Sequence, residues 1–198
     1  MIQTVGPTEH LSFYKIVVIG DSNVGKNALL ARFVDEEYDY RQFQVTIGIE
    51  LKWAVVDHGG EKIKLEFWGP AGTHRDPNTV AQCCPGADGV VLVYDITDRQ
   101  SFENIGVWLK DIQKDLPENA ERMLVTMLLG NKCDMEEKRI ISQKDGEGRA
   151  RQLGCRFKEV SAKHHINVKA ALDELVAAIL ERRKGRTGSS TCQRCSVS

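Results

Sequence analysis

The chain reads as an α/β protein built on a largely parallel sheet, and three observations carry that expectation. Short apolar runs alternate with amphipathic helical stretches from Tyr14 to Leu180, which is the pattern of strands joined by crossover helices covering both faces of a sheet. Gly89-Val-Val-Leu-Val-Tyr94 and Val125 to Leu129 lack the polar alternation of a half-exposed strand, as central strands buried on both faces should. At 198 residues and 22.2 kDa the chain is long enough for one domain with a real core and too short for two comfortable ones. The expected organisation is a flexible segment over 1–12, a folded domain over 13–183 and a flexible basic tail over 184–198.

Tyr14 to Ile19 is the first expected strand, followed by a helix over Lys26 to Val34 with Leu29, Leu30 and Phe33 inward. Leu51 to Val56 and Ile63 to Trp68 flank the turn sequence Asp57-His-Gly-Gly60, which predicts a hairpin and one antiparallel strand. Ser101 to Asp115 reads as a helix with Ser101 as N-cap, Phe102, Ile105, Leu109 and Ile112 inward and Pro117 closing it. Ser142 to Leu153 is a further helix weakened by Gly146 and Gly148. Arg156 to Val160 supplies a short strand, and Asn167 to Arg183 a long final helix buried through Val168, Ala171, Leu172, Leu175, Ile179 and Leu180. Beyond Lys184 the periodicity is lost and flexibility is expected. No internal repeat is visible.

Lys and Arg number 27 against 28 Asp and Glu, so no global field points to nucleic acid or an acidic substrate. Charge is unevenly placed: Arg182, Arg183, Lys184, Arg186 and Arg194 follow Glu181 with no further acid. No run approaches the ~18 apolar residues of a membrane span, and no secretory layout opens the chain. Ile2, in place of glycine, argues against N-myristoylation. The six cysteines, with Cys83 and Cys84 adjacent, suit a reducing compartment better than a disulfide framework. These features together predict a cytoplasmic protein.

In open parallel sheets, ligands bind beyond the carboxyl ends of the strands. Four candidate loops fall there: Gly20-Asp21-Ser22-Asn23-Val24-Gly25-Lys26-Asn27, Gly69-Pro-Ala-Gly72, Asn131-Lys132-Cys133-Asp134 and Ser161-Ala162-Lys163. The first is a phosphate loop. Its glycines allow a tight turn that aims backbone N–H groups at a polyphosphate, and Lys26 opens a helix whose dipole also favours anions. Asp134 can accept the N1–H and exocyclic amine of guanine, a donor pair that adenine lacks.

With these loops in place the chain resembles the small GTP-binding proteins of the Ras superfamily, and within it the Rab branch. The carriers are Gly20 to Lys26, Thr46-Ile-Gly-Ile-Glu50, Lys62 to Trp68, Gly89 to Thr97, Ser101-Phe102 with Trp108, Asn131 to Asp134 and Ser161 to Lys163. The resemblance implies a three-layer P-loop nucleotide-binding fold, with a six-stranded sheet, one strand antiparallel, and five helices. It implies GTP or GDP and Mg²⁺ as ligands, with Tyr38 packing on the base and Asn131 bracing the loops. It also implies that Lys132 lies along the base, that the Ala162 N–H meets the guanine oxygen, and that Gly72 contacts a γ-phosphate. Effectors, exchange factors and activating proteins would be the partners of two nucleotide-sensitive loops.

The departures cluster where magnesium and the attacking water are handled. Asn27 stands in place of the loop's Ser or Thr, Gly69 in place of an aspartate, and Thr73 in place of the water-positioning glutamine. Thr46 remains as a metal contact, with Asn27 as a weak second. Diminished magnesium binding, a preference for GDP and slow or absent hydrolysis follow. His74, Asp76 or a partner's side chain are the substitutes considered for the lost groups, and Glu66 is a poorer candidate by strand parity. Cys83 and Cys84 are expected to pack half-buried, and His164 and His165 to lie in a solvated loop.

Cys195-Ser-Val-Ser198 puts a cysteine fourth from the end with Cys192 and basic residues upstream. That layout predicts recognition by a prenyl transferase and peripheral attachment to the cytosolic face of a membrane. The functional expectation is a monomeric Rab-like switch in vesicle traffic. The alternatives are a non-cycling scaffold that keeps the fold, and a P-loop ATPase or kinase, which Asp134 opposes.

Overall fold

The computed structural model describes residues 12–35, 49–70, 77–114, 116 and 124–189. Six strands form one sheet in the order β2-β3-β1-β4-β5-β6. They are β1 (Ser12–Ile19), β2 (Ile49–His58), β3 (Glu61–Pro70), β4 (Gly89–Asp95), β5 (Val125–Asn131) and β6 (Arg156–Glu159). Every pairing is parallel except β2 with β3, so the expected hairpin forms. Its Gly59-Gly60 connection is held by Asp57 Oδ1, which accepts the Gly60 N–H at 3.1 Å.

The five helices among the described residues are α1 (Lys26–Val34), α2 (Pro77–Cys83), α3 (Arg99–Lys114), α4 (Gln143–Leu153) and α5 (Val168–Ser189). Alternate residues of β1 feed opposite layers. Tyr14, Ile16 and Val18 pack with Leu29, Leu30 and Phe33 of α1 and with Leu172, Leu175 and Ile179 of α5. Val17 and Ile19 pack instead with Ile105, Trp108 and Ile112 of α3 and with Ala150 of α4. Cys83 and Cys84 are fully buried in this second layer rather than half-buried. Burial pushes the Cys83 thiol pKa up against the pull of Lys15, so it behaves as a small core hydrophobe.

Three differences from the sequence expectation have physical causes. Ser101 is not the cap of α3. The helix starts two residues earlier, Asp98 Oδ1 accepts the Gln100 N–H at 3.0 Å, and the buried Ser101 hydroxyl accepts the Asp95 N–H at 3.1 Å, tying α3 to the end of β4. The final helix runs to Ser189 instead of stopping at Arg183; its packed upstream turns have already met the cost of nucleation, so it continues through Gly185 and Gly188 despite their low helix propensity. α2 falls inside the expected variable loop over 73–86; its one signal is proline at the first helical position. At α4, Ser142 forms a full capping box with Asp145, which offsets Gly146 and Gly148 within it.

Candidate nucleotide site

β1 delivers the phosphate loop at its carboxyl end, and backbone geometry explains its glycines. A Cβ on Gly20 would stand 2.1 Å from the Val93 carbonyl oxygen of β4, so the loop leaves the sheet through a gap with no room for a side chain. Gly25 has φ +95°, and a Cβ there would stand 2.3 Å from Asn131 Nδ2. Lys26 begins α1 and is buried, and its Nζ donates to the Gly20 and Asp21 carbonyls at 2.8 and 2.7 Å. Burial lowers its pKa to about 8, against the raising pull of Asp21. The ammonium is thus turned onto its own loop, within the turn whose N–H groups suit an anion.

Asn131, at the end of β5, joins the phosphate loop to the loop after β6. Its Nδ2 donates to the Val24 carbonyl at 2.7 Å, and its Oδ1 accepts the Ala162 N–H at 3.1 Å. That N–H, which the resemblance assigns to the guanine oxygen, is engaged by the brace itself. Asp134 Oδ1 accepts from the Ser161 hydroxyl at 2.6 Å, and Ser161 Oγ in turn accepts the His164 N–H at 3.0 Å. The exposed His164 ring places Nε2 at 3.7 Å from Asp134 Oδ2. The Lys132 ammonium lies 2.6 Å from Asp95 Oδ2, and Thr97 donates its hydroxyl to Asp95 Oδ1 at 2.7 Å.

Three positioning residues carry no signal for that role in the sequence. Asn104 Nδ2 and Trp108 Nε1 of α3 each donate to one carboxylate oxygen of Asp21 at 2.6 Å, fixing the second residue of the phosphate loop. Arg32 Nε donates to the Ala162 carbonyl at 3.0 Å. Trp108 and Arg32 lie at helical spacing beside apolar neighbours, so periodicity registers the core and not the polar tips.

Among the described residues, two positions that the resemblance assigns to the metal, Gly69 and Asn27, can be placed. Gly69 lies one residue before the end of β3 with no side-chain ligand atom, and a Cβ added to it would stand 2.5 Å from Leu30 Cδ1. Hydrocarbon from α1 therefore fills the space into which a side chain at Gly69 would project. Asn27 brings at best a neutral amide oxygen, a poor partner for a hard dication. Among the described residues, Gly69 and Asn27 do not make a carboxylate-and-hydroxyl donor pair for Mg²⁺. Glu66 lies in ion-pair contact with Lys64 at 3.3 Å, three residues from Gly69 and on the other face by strand parity. Tyr38, Thr46, Gly72, Thr73, His74, Asp76, Cys192 and Cys195 lie outside the described residues.

With this geometry in hand, comparison with known proteins defines the class. A model described as the Ras family matches residues 15–181. The chain belongs to the Ras family of small GTP-binding proteins. Within it the likeness falls on the Rab branch: the chain is 45% identical over 169 residues to "Ras-related protein Rab-10" of Diplobatis ommata, covering 85% of this chain and 82% of that one. It is 43% identical over 178 residues to "Ras-related protein Rab-13" of Bos taurus, covering 90% and 84% respectively. To "Ras-related protein Rab-10" of Caenorhabditis elegans it is 41% identical over 174 residues, covering 88% and 84%.

Proposed function

We propose that the protein is a Rab-type guanine-nucleotide binder that regulates vesicle traffic from the cytosolic face of a membrane, with weak intrinsic hydrolysis. The observation that carries nucleotide binding is the convergence of three loops through Asn131, which sets the phosphate loop, Asp134 and Ser161-Ala162-Lys163 in one rigid frame. On binding, Lys26 exchanges its two carbonyl partners for phosphate oxygens, and the loop's N–H groups supply the remaining contacts. Asp134, oriented by the Ser161 hydroxyl, accepts the guanine N–H pair, while Tyr38 and Lys132 flank the base. A bound magnesium ion would supply charge neutralisation at the β- and γ-phosphates. Thr46 and Asn27 are the residues that would hold it, as weak supports.

GDP is the preferred ligand in this reading, because the γ-phosphate gains most from the missing cation. Identifying the nucleotide released on denaturing the purified protein tests occupancy, and GDP and GTP affinities with and without magnesium test the preference. A normal metal-dependent preference for GTP would overturn it. Leu30 packed against Gly69 favours a second reading, a scaffold that holds GDP without cycling and acts through protein partners. Single-turnover assays with a broad panel of activating proteins separate the two. The anchoring part of the proposal rests on Cys192, Cys195 and the basic tail. Replacing both cysteines should release the protein from membranes.

A further inference from the structure

Away from the nucleotide loops, α3 and α4 enclose a groove of about 630 Å³ whose charged and aromatic lining comes from Arg99, Phe102 and Glu103 of α3 and from Lys144, Asp145, Arg149 and Arg151 of α4. Four cations face two carboxylates there. Asp145 is already held by the Ser142 hydroxyl at 2.6 Å. The Ser142 bonds hold its carboxyl below the usual range, with Arg99 and Lys144 adding to them, and Arg149 donates to the Gln152 amide oxygen at 3.4 Å. On a chain of net charge −1, this is a concentrated positive cleft and not a sample of a generally basic surface. Phe102, partly buried beside Tyr94, adds an apolar floor.

We propose that this α3–α4 groove docks an acidic peptide segment of a partner protein, with a carboxylate-bearing stretch along the Arg and Lys side chains and an apolar residue against Phe102. Four cations against two carboxylates, with an aromatic beside them, match a segment that alternates acids with a hydrophobe. Glu103 and Asp145 interrupt the positive charge, which suits spaced carboxylates better than a compact polyphosphate. The two carboxylates also disfavour an anionic membrane headgroup. The α3 wall of the groove follows the carboxyl end of β4, whereas α5 leaves the fold at the opposite end of the sheet: Arg183 pairs with Asp88 at 2.9 Å just before β4, and Arg182 donates to the Leu124 carbonyl just before β5. The inference stands whether or not the bound nucleotide is GDP.

The test is fluorescence anisotropy of the full chain with a labelled Glu-Glu-Leu repeat peptide of about twelve residues, a length on the order of the exposed chain needed to span the groove. A peptide with glutamine in place of every glutamate is the control. The acidic peptide should bind, and the glutamine peptide should bind at least ~10-fold more weakly, about 1.4 kcal/mol. Lys144→Glu with Arg149→Glu should weaken the acidic peptide at least ~10-fold, while Lys110→Glu with Lys138→Glu, an equal charge change at exposed sites elsewhere, should change it less than ~3-fold. Matching circular dichroism melts confirm that both variants fold. Equal losses in the two variants, binding of the glutamine peptide as tight as the acidic one, or binding only to vesicles carrying phosphatidylinositol bisphosphate would each overturn the proposal.

Discussion

Replacing Asn131 with alanine should loosen the whole nucleotide site from one position. The substitution removes the Nδ2 donor to the Val24 carbonyl at 2.7 Å and the Oδ1 acceptor of the Ala162 N–H at 3.1 Å. Val24, Asn131 and Ala162 are all buried, so two main-chain groups lose their partners where water is scarce. An unsatisfied buried polar group costs about 1–3 kcal/mol. Water entering the space left by the amide recovers part of that, so the net loss is about 2–4 kcal/mol. In a domain of this size each kcal/mol moves the melting midpoint by about 2–4 °C, so the shift should be about 4–16 °C downward. Calorimetry of the nucleotide-free protein measures it, and GDP release followed by a fluorescent analogue should accelerate in parallel. Asn131→Asp should be at least as damaging, since it keeps an acceptor for Ala162 but sets a carboxylate against the Val24 carbonyl. A melt within about 2 °C of the parent, below the smallest shift these losses allow, would refute the bracing argument.

Lys26 should couple GDP binding to pH. Its pKa of about 8 in the empty loop rises when phosphate arrives, so binding takes up a proton above that pH and the GDP association constant should fall between about pH 8 and 10; titration calorimetry in buffers of different ionisation enthalpy reads the proton count. By the same linkage the nucleotide-free fold, which binds this proton less well than the unfolded chain, should gain stability from this group as pH rises from about 8 towards the ordinary lysine value of 10.5. Trp108→Phe removes one of the two donors to Asp21 and should cost about 1–2 kcal/mol in urea unfolding, with faster GDP release; unchanged release would remove Trp108 from the positioning set. Tyr94→Phe should be neutral or slightly stabilising, because the buried Tyr94 hydroxyl has no partner among the described residues; a loss above about 1 kcal/mol would reveal a bond that the geometry lacks.

The sheet, its one antiparallel strand and the alternation of helices were legible in the sequence, because unbroken apolar runs bounded by turn residues have no analogue among surface segments; Val90 to Val93 and Leu128 to Leu129 are fully buried, as their composition demands. The loops at the ends of β1, β5 and β6 were legible in position because turn residues follow apolar runs there, whereas the Gly69 segment begins inside β3 and continues outside the described residues. What escaped was contact between distant parts. Asn104 and Trp108 lie more than eighty residues from Asp21, and nothing local in α3 marks them as loop holders. The start of α3 is ambiguous in sequence because Ser101 and Asp98 are both good cap residues, and the buried bond from Ser101 to Asp95 decides between them. Gly69 read as a missing ligand; that Leu30 occupies the vacated space is visible only in three dimensions.

The contact between Leu30 and Gly69 makes the order of substitutions matter. Aspartate introduced at Gly69 alone meets the Leu30 methyl group, whereas trimming Leu30 first leaves a cavity in the α1 layer before any carboxylate exists to fill it. Packing therefore couples the two positions, and an aspartate at Gly69 should be tolerated better together with a smaller residue at Leu30 than either change is alone.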